Sequence, residues 1–372
     1  MTPFPLPAGN LDDAALRPEQ IGRLEALIGA HIAEGRYPGA QIAIARHGKL
    51  AFFNSYGHAT AGREADAETL WLLYSNTKVV TAAASWVLAE RGAFRFTDRV
   101  ADHIPAFARN GKGDITIMEV ITHRAGYPNA QVPQSAWEDH DKLRESVCDF
   151  SLEFTPGTRL HYHGQSAHWT LAVLIESLTG QDFRTFVREA VIAPLSLGDD
   201  IHVGLPESCF ARAADMHAPA EAGVAPIAEN NTPAWRRAGS PGAGGYATAR
   251  GMAALYQMML GGGALGAARI LAPRTLAYAI RNWTGDMVDA YMGMPMHRGL
   301  GPHLRGHTPT VRGLGSFASP TTFGHGGVGS SYCWGDPESG VSFAYLTNCR
   351  IPDPWHSLRL DVVSNLVHSA IL

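Results

Sequence analysis

Hydrophobic and polar positions follow two different rhythms along this chain. Between Pro18 and Ile32 the apolar residues Ile21, Leu24, Leu27, Ile28 and Ile32 recur at helical spacing and predict an amphipathic first helix. The period then shortens to two. Residues 39–46 alternate, turn at His47-Gly48-Lys49 and resume over 50–57, which is the pattern of a hairpin. From Ser75 to Ala89 the chain carries almost no charge, and Gly92 supplies a stop, so a buried central helix is expected there. Thr116-Ile117-Met118-Glu119 reads as a capping box ahead of Val120-Ile121, and His123 to Pro128 ends that helix. Further helices are expected over 167–176, stopping at Thr179-Gly180, and over 251–260, closed by Gly261-Gly262-Gly263. The Gly/Pro-rich stretch from Leu300 to Phe317 shows no period and reads as loop. Strand texture returns at 329–334 and 341–348, joined by a turn at 335–340, and Trp355 to Ile371 looks like a closing helix. Strands near both ends with helices between predict an α/β (α+β) architecture. One sheet is assembled from residues 1–84 and 318–372, and 85–317 forms an inserted, mainly helical lobe. The two make one catalytic domain, with the active site in the cleft between them.

Composition narrows the function classes. The chain has 372 residues, 45% apolar and 17% charged, as expected of an ordered globular protein with an ample core. Its net charge of −4 comes without a basic block, which argues against nucleic acid or an anionic membrane surface as partner. The segment Met1 to Gly9 lacks the charged and apolar regions of a signal peptide, and no apolar run reaches the length of a membrane span, so a cytoplasmic location is expected. Cys148, Cys209, Cys333 and Cys349 form no C-x-x-C pair and read as buried thiols in a reducing compartment. Oligomeric state is not legible in the sequence.

The candidate chemistry begins at Ser75-Asn76-Thr77-Lys78. A serine and a lysine three residues apart at the head of a helix share one face, so the amine can reach the hydroxyl. A lysine held in apolar surroundings is pushed toward its neutral form and can then accept the serine proton, while the serine offers its own N–H to a developing oxyanion. Taken alone, the pair equally describes a capping serine and a snorkelling lysine. Such a pair needs a proton donor for the leaving group. Tyr162, after the turn Pro156-Gly157-Thr158, is the candidate, although a tyrosine there also fits a structural role. The third piece is Phe323-Gly324-His325-Gly326-Gly327-Val328, where glycines on a strand permit close approach by a ligand and a free N–H could be the second oxyanion donor; an edge-strand bulge fits as well. No Gly-x-Ser-x-Gly elbow occurs, and Gly242 to Ala247 imitates a dinucleotide fingerprint outside any βαβ unit. His161, His163 and His168 lack a carboxylate or thiol at ligand spacing and read as neutral histidines of a cleft wall, so no metal and no organic cofactor is expected.

In order along the chain, Ser75-Asn76-Thr77-Lys78, Tyr162 after its turn and the glycine-rich strand near the C-terminus resemble the penicillin-recognising serine hydrolases, specifically the class C β-lactamase and family VIII carboxylesterase branch. Thr122-His123-Arg124-Ala125-Gly126 is similar to that family's LLTHTSG stretch, and Gly244 to Arg250 to its GGLxSTAxD stretch. The resemblance implies a β-lactamase-like fold with an antiparallel sheet flanked by helices. It also implies Ser75 as acylated nucleophile, Lys78 as its base partner, Tyr162 as second acid/base, and the Ser75 and Val328 N–H groups as oxyanion hole. Two departures fall on substrate recognition. The family's Tyr-x-Asn is here Tyr162-His163-Gly164, with His163 or Gln165 as the candidate replacement for the amide. Its Lys-Thr-Gly is here His325-Gly326-Gly327, which removes the cation and hydroxyl that grip a β-lactam or peptide carboxylate. His163, His325, Gly326 and Gly327 are therefore expected to face the substrate. The implied function is a serine hydrolase cleaving small-molecule carboxylic esters through an acyl-enzyme. An acyltransferase on the same scaffold comes second, β-lactamase or D-amino-acid peptidase activity third, and a catalytically silent binding homologue last.

Overall fold

A computed structural model describes residues 3–309 and 313–372. In chain order, the elements that position the cleft begin with helix α1 (Pro18–Ala33), strands β1 (Gly39–Arg46), β2 (Lys49–Thr60), β3 (Arg63–Glu64) and β4 (Trp71–Leu72), and helices α2 (Thr77–Glu90), α3 (Ile117–Ile121) and α4 (Ser166–Thr179). Strands β5 (Ile201–Val203) and β6 (Gly245–Ala247), helix α5 (Ala249–Leu260), strands β7 (His297–Arg298), β8 (His303–Leu304), β9 (Phe323–Gly326), β10 (Tyr332–Asp336) and β11 (Val341–Thr347), and helix α6 (Trp355–Ala370) follow.

The local causes are visible in the residues. Pro18 opens α1, and its buried Ile21, Leu24 and Ile28 form one stripe. His47 and Gly48 both adopt positive φ, 51° and 77°, which gives the β1–β2 hairpin a turn matching strand twist. Thr116 and Glu119 form the expected capping box, and Gly180 ends α4 with a φ of 69°.

An eight-stranded antiparallel sheet runs in the order β7-β8-β9-β10-β11-β1-β2-β3, so the first strand lies between its hairpin partner and the last strand. Ala40 faces Thr347 and Arg46 faces Val341 across the β1–β11 seam. This sheet is the one expected from both termini, and the fold is β-lactamase-like. Strand alternation divides the interior in two. Ala43, Ala45, Cys333, Ala344 and Leu346 face a core shared with α2, α4 and α5. Ile42, Ile44, Trp334, Phe343 and Tyr345 face a second core closed by α1 and α6.

Four details differ from the sequence reading. Ser75 lies in a 3₁₀ turn, Tyr74–Asn76, and the α-helix starts after it at Thr77. The stretch from Leu300 contributes β8, which with β7 extends the sheet past β9; strands of two residues carry no period to read. Residues 310–312 of that stretch lie outside the described residues. The strand expected from Gly329 begins at Tyr332, because Gly329 turns with a φ of 64° and the Ser330 N–H folds back onto the Gly327 carbonyl. The segment expected as the helical lobe also supplies α5, which lies against β1, β10 and β11. Cys148, Cys333 and Cys349 are free and buried, and Cys209 is free and half-buried. Among the described residues no helix is long and apolar enough to cross a membrane.

Candidate active site

Ser75 is delivered by a short, braced turn. Strand β4 pairs with β6, and the Leu73 N–H donates to the Gly245 carbonyl at 2.8 Å. Tyr74 then takes a left-handed φ of 44°, an unfavourable conformation for a bulky residue, while its buried phenol donates to the Asn230 side chain at 2.6 Å. Thr77 accepts the Gly245 N–H at 2.9 Å, which ties the head of α2 to β6. Ser75 is thereby held at the floor of the cleft.

Lys78, one helical turn on, is fully buried. Its Nζ lies 2.7 Å from the Gly164 carbonyl, 2.8 Å from the Gly242 carbonyl and 3.1 Å from Ser75 Oγ. Burial, reinforced by the nearby Arg298 cation, holds this amine well below the usual lysine range. The three contacts accommodate a neutral amine, with two hydrogens for the carbonyls and the lone pair for the serine hydroxyl, and burial favours this form over an ammonium donating to all three.

Tyr162 arrives from the other side. Gly157 turns the chain with a φ of 79°, and a Cβ there would meet Glu119 Oε1 at 2.7 Å. The segment then crosses Asp289, whose Oδ1 accepts the Tyr162 N–H at 3.1 Å. The Tyr162 phenol donates to Ser75 Oγ at 2.8 Å, and its ring centroid is 5.1 Å from Lys78 Nζ. Burial pushes the phenol up to about 12, with the Ser75 hydrogen bond and Arg298 acting against that rise.

The third wall is the end of β9. At Gly327 a Cβ would lie 2.6 Å from the Leu73 carbonyl and 2.8 Å from Ser330 Oγ, so only glycine lets this strand approach the Ser75 turn. The Gly327 N–H is taken by the Ser331 carbonyl at 2.8 Å, whereas the next N–H, on Val328, makes no hydrogen bond among the described residues. Ser75, Tyr162, His325, Gly326, Gly327 and Val328 line one cavity of about 210 Å³. Tyr291, Met292, Tyr332, Ile351, Pro352 and Leu360 form much of its remaining wall, and among the described residues no lysine or arginine lines it. His325 sits in that wall, 2% exposed, with Nδ1 2.9 Å from the Gly326 carbonyl, and burial keeps its ring neutral.

His163 departs from its expected place. Its ring is buried behind the cavity, with Nδ1 2.6 Å from the His161 carbonyl and Nε2 accepting the Tyr127 N–H at 3.2 Å. Both ring nitrogens are occupied, and burial lowers the ring to about 3, so His163 braces the Tyr162 segment and does not line the cavity. Gln165 is likewise engaged, accepting from the Ser240 hydroxyl at 2.6 Å. The oxygens that hold Lys78 in place of the missing asparagine amide are the carbonyls of Gly164 and Gly242. His161, His163 and His168 bring no three ligand atoms together. Among the described residues His140, Glu176 and Asp182 do, at a surface where Arg184 already pairs with Asp182 at 2.7 Å. Sequence reasoning missed Gly242, Asp289 and Arg298. Gly242 opened a stretch already singled out as a false dinucleotide fingerprint, but a carbonyl contact leaves no side-chain signature.

Comparison with known proteins agrees with this geometry. Residues 24–363 match the family described as Beta-lactamase. "Esterase/beta-lactamase LipL" of Mycobacterium tuberculosis is 29% identical over 318 residues, covering 76% of this chain and 70% of LipL. Among solved structures, a family VIII carboxylesterase superposes with a TM-score of 0.82 at 28% identity, covering 96% of this chain and 99% of that one. A penicillin-binding protein homologue from Caulobacter crescentus gives a TM-score of 0.83 at 25% identity, with the same coverage. With the family spanning most of its length and the serine–lysine turn at its centre, the chain belongs to the Beta-lactamase family and is a hydrolase of the serine β-lactamase and esterase superfamily.

Proposed function

We propose that the protein cleaves carboxylic esters of small molecules through a covalent acyl-enzyme on Ser75. The observation that carries this reading is the hydrogen-bonded set of Ser75 Oγ, Lys78 Nζ at 3.1 Å and Tyr162 phenol at 2.8 Å, opening onto one cavity. Lys78, neutral in its buried site, takes the Ser75 proton as Oγ attacks the ester carbonyl. The N–H groups of Ser75 and Val328 receive the oxyanion. As the tetrahedral intermediate collapses, Tyr162 gives its proton to the leaving alcohol and is reprotonated from Lys78. A water then repeats the sequence on the acyl-enzyme, releases the acid and restores the serine.

The cavity wall supports an ester over a β-lactam or peptide substrate. A carboxylate on the substrate would need a cation, and the described residues of the wall supply none, with His325 neutral where the family places lysine. The likeness to a family VIII carboxylesterase points the same way, and LipL carries both esterase and β-lactamase in its name. Intact-mass measurement after exposure to a fluorophosphonate and to activated esters tests the reading. One adduct is expected on the wild type and none on Ser75→Ala; a wild type left unlabelled by every probe would overturn the nucleophile assignment. Added alcohols or amines that divert the acyl group into new esters or amides would make the protein an acyltransferase instead.

A further inference from the structure

We propose that Asp289 and Arg298 are positioning residues of this site: an oriented, buried ion pair that fixes the Tyr162 segment and keeps a permanent positive charge against the Tyr162 ring. The proposal rests on the acyl-enzyme reading above. Neither residue lines the cavity, and both are essentially inaccessible, at 0% and 1% exposure.

Their hydrogen bonds define an orientation. Asp289 gives Oδ2 to the Arg298 guanidinium and Oδ1 to backbone, accepting the N–H groups of Tyr162 at 3.1 Å and Tyr291 at 2.9 Å. The carboxylate therefore ties the segment carrying the phenol to the loop carrying Tyr291. Burial alone would raise the Asp289 carboxyl, but the Arg298 cation and these N–H donors hold it below its usual range. Arg298 spends Nη1 on His303 Nε2 at 2.9 Å, and its guanidinium carbon lies 5.0 Å from the Tyr162 ring centroid. The positive end of the pair thus faces the reacting groups, and the negative end faces main chain.

A buried ion pair gives little net stability compared with apolar packing, so its place beside a catalytic phenol asks for a chemical reason. The groups facing Lys78 and Tyr162 from the surrounding elements are Ser75, Tyr291, His123, His168 and His325, with His163 behind His123 and His303 bonded to Arg298. Burial holds His123, His163, His168 and His325 toward their neutral forms. That leaves Arg298 and Asp289 to set the local field. The cation resists a second positive charge on Lys78 and favours negative charge on the Tyr162 oxygen, which are the states the proton transfers require.

The test reads the pH dependence of kcat/KM for an activated aryl ester, with fluorophosphonate labelling of Ser75 in parallel. In Arg298→Met the repulsion on Lys78 is gone, so the acid limb should move to higher pH by about one unit, with kcat falling on the order of a hundredfold and KM little changed. Asp289→Asn keeps an oxygen for the Tyr162 N–H but leaves Arg298 uncompensated, so the limb should move to lower pH. Arg298→Lys retains the charge and should keep the limb near its wild-type position. If a single variant fails to fold, the paired change Asp289→Asn with Arg298→Met leaves no buried lone charge, and its limb should rise as in Arg298→Met. Folded variants with unmoved limbs and an intact wild-type label would overturn the role of the pair alone. A wild type that cannot be labelled would overturn the acyl-enzyme reading and the pair's role with it.

Discussion

Lys78 has no carboxylate partner, and its three polar contacts are two carbonyls and a hydroxyl. Because its folded pKa lies below that of an unfolded lysine, the folded protein binds fewer protons here, and stability rises with pH through the interval between the two values. Activity follows the same sign: it should fall as pH drops through the lowered value, since protonation removes the lone pair from Ser75. A pH–rate profile checks this, and an acid limb at the ordinary lysine position would contradict it. Replacing Tyr162 by phenylalanine removes a 2.8 Å hydrogen bond to Ser75 and should lower kcat by about 10²- to 10⁴-fold, measured by steady-state turnover. At this scale the sequence was informative wherever chemistry depends on local spacing. Ser75 and Lys78 lie on one turn, and Tyr162 follows a recognisable Pro-Gly-Thr signal. Asp289 and Arg298 meet Tyr162 only through the tertiary fold, so no local pattern announces them. His163 was misplaced because its neighbour Tyr162 faces the cavity while His163 itself faces Tyr127.

The elements that hold these residues differ in how much latitude they allow. At Gly327 a methyl group would collide with the Leu73 carbonyl, which belongs to the backbone of the nucleophile turn and cannot swing aside. Gly327→Ala should therefore displace Val328 from the oxyanion position and reduce kcat by about 10²-fold, while the melting temperature, followed by circular dichroism, falls only modestly. The capping box of α3 offers a contrast. Thr116→Ala removes the acceptor of the Glu119 N–H and should destabilise the protein by about 1 kcal/mol in denaturant titration, with turnover unchanged. Helices with full caps and stripes were legible in the sequence because each turn repeats the signal. The two-residue strands β7 and β8 were not, since only the pairing of β7 with β8 and of β8 with β9 defines them.

At the scale of the whole molecule, α6 supports the wall of the cleft that α2 does not touch. Arg359, 3% exposed, donates Nη2 to the carbonyls of Gly329 at 2.9 Å and Ser330 at 2.5 Å, and its guanidinium packs on Tyr37 and Tyr345. Arg359→Ala removes one of two donors from each carbonyl, leaving the Ile351 N–H on Gly329 and the Thr347 hydroxyl on Ser330, and also removes the packing on Tyr37 and Tyr345, so it should cost about 2 kcal/mol of stability, read from a denaturation curve. It should also loosen Val328 and lower kcat/KM. The sheet joining both termini was legible because strand alternation at each end had only the other end to pair with. How closely α5 would lie on that sheet was not, since burial on every side leaves no polar face to orient a helix.

The seam between β1 and β11 has a further consequence for synthesis. Ala43 meets Ala344 about three hundred residues later in the chain, so the pairing that completes the sheet has a very long closure distance. A ribosome delivers β1 and β2 early and must extend almost the whole polypeptide before the hairpin's open edge is covered. Until then a buried-type strand is exposed as a template for other nascent chains, which makes early emergence the vulnerable interval for aggregation. The same delay keeps an incomplete polypeptide from hydrolysing anything, because the wall bearing Val328 is translated just before the strand that locks it.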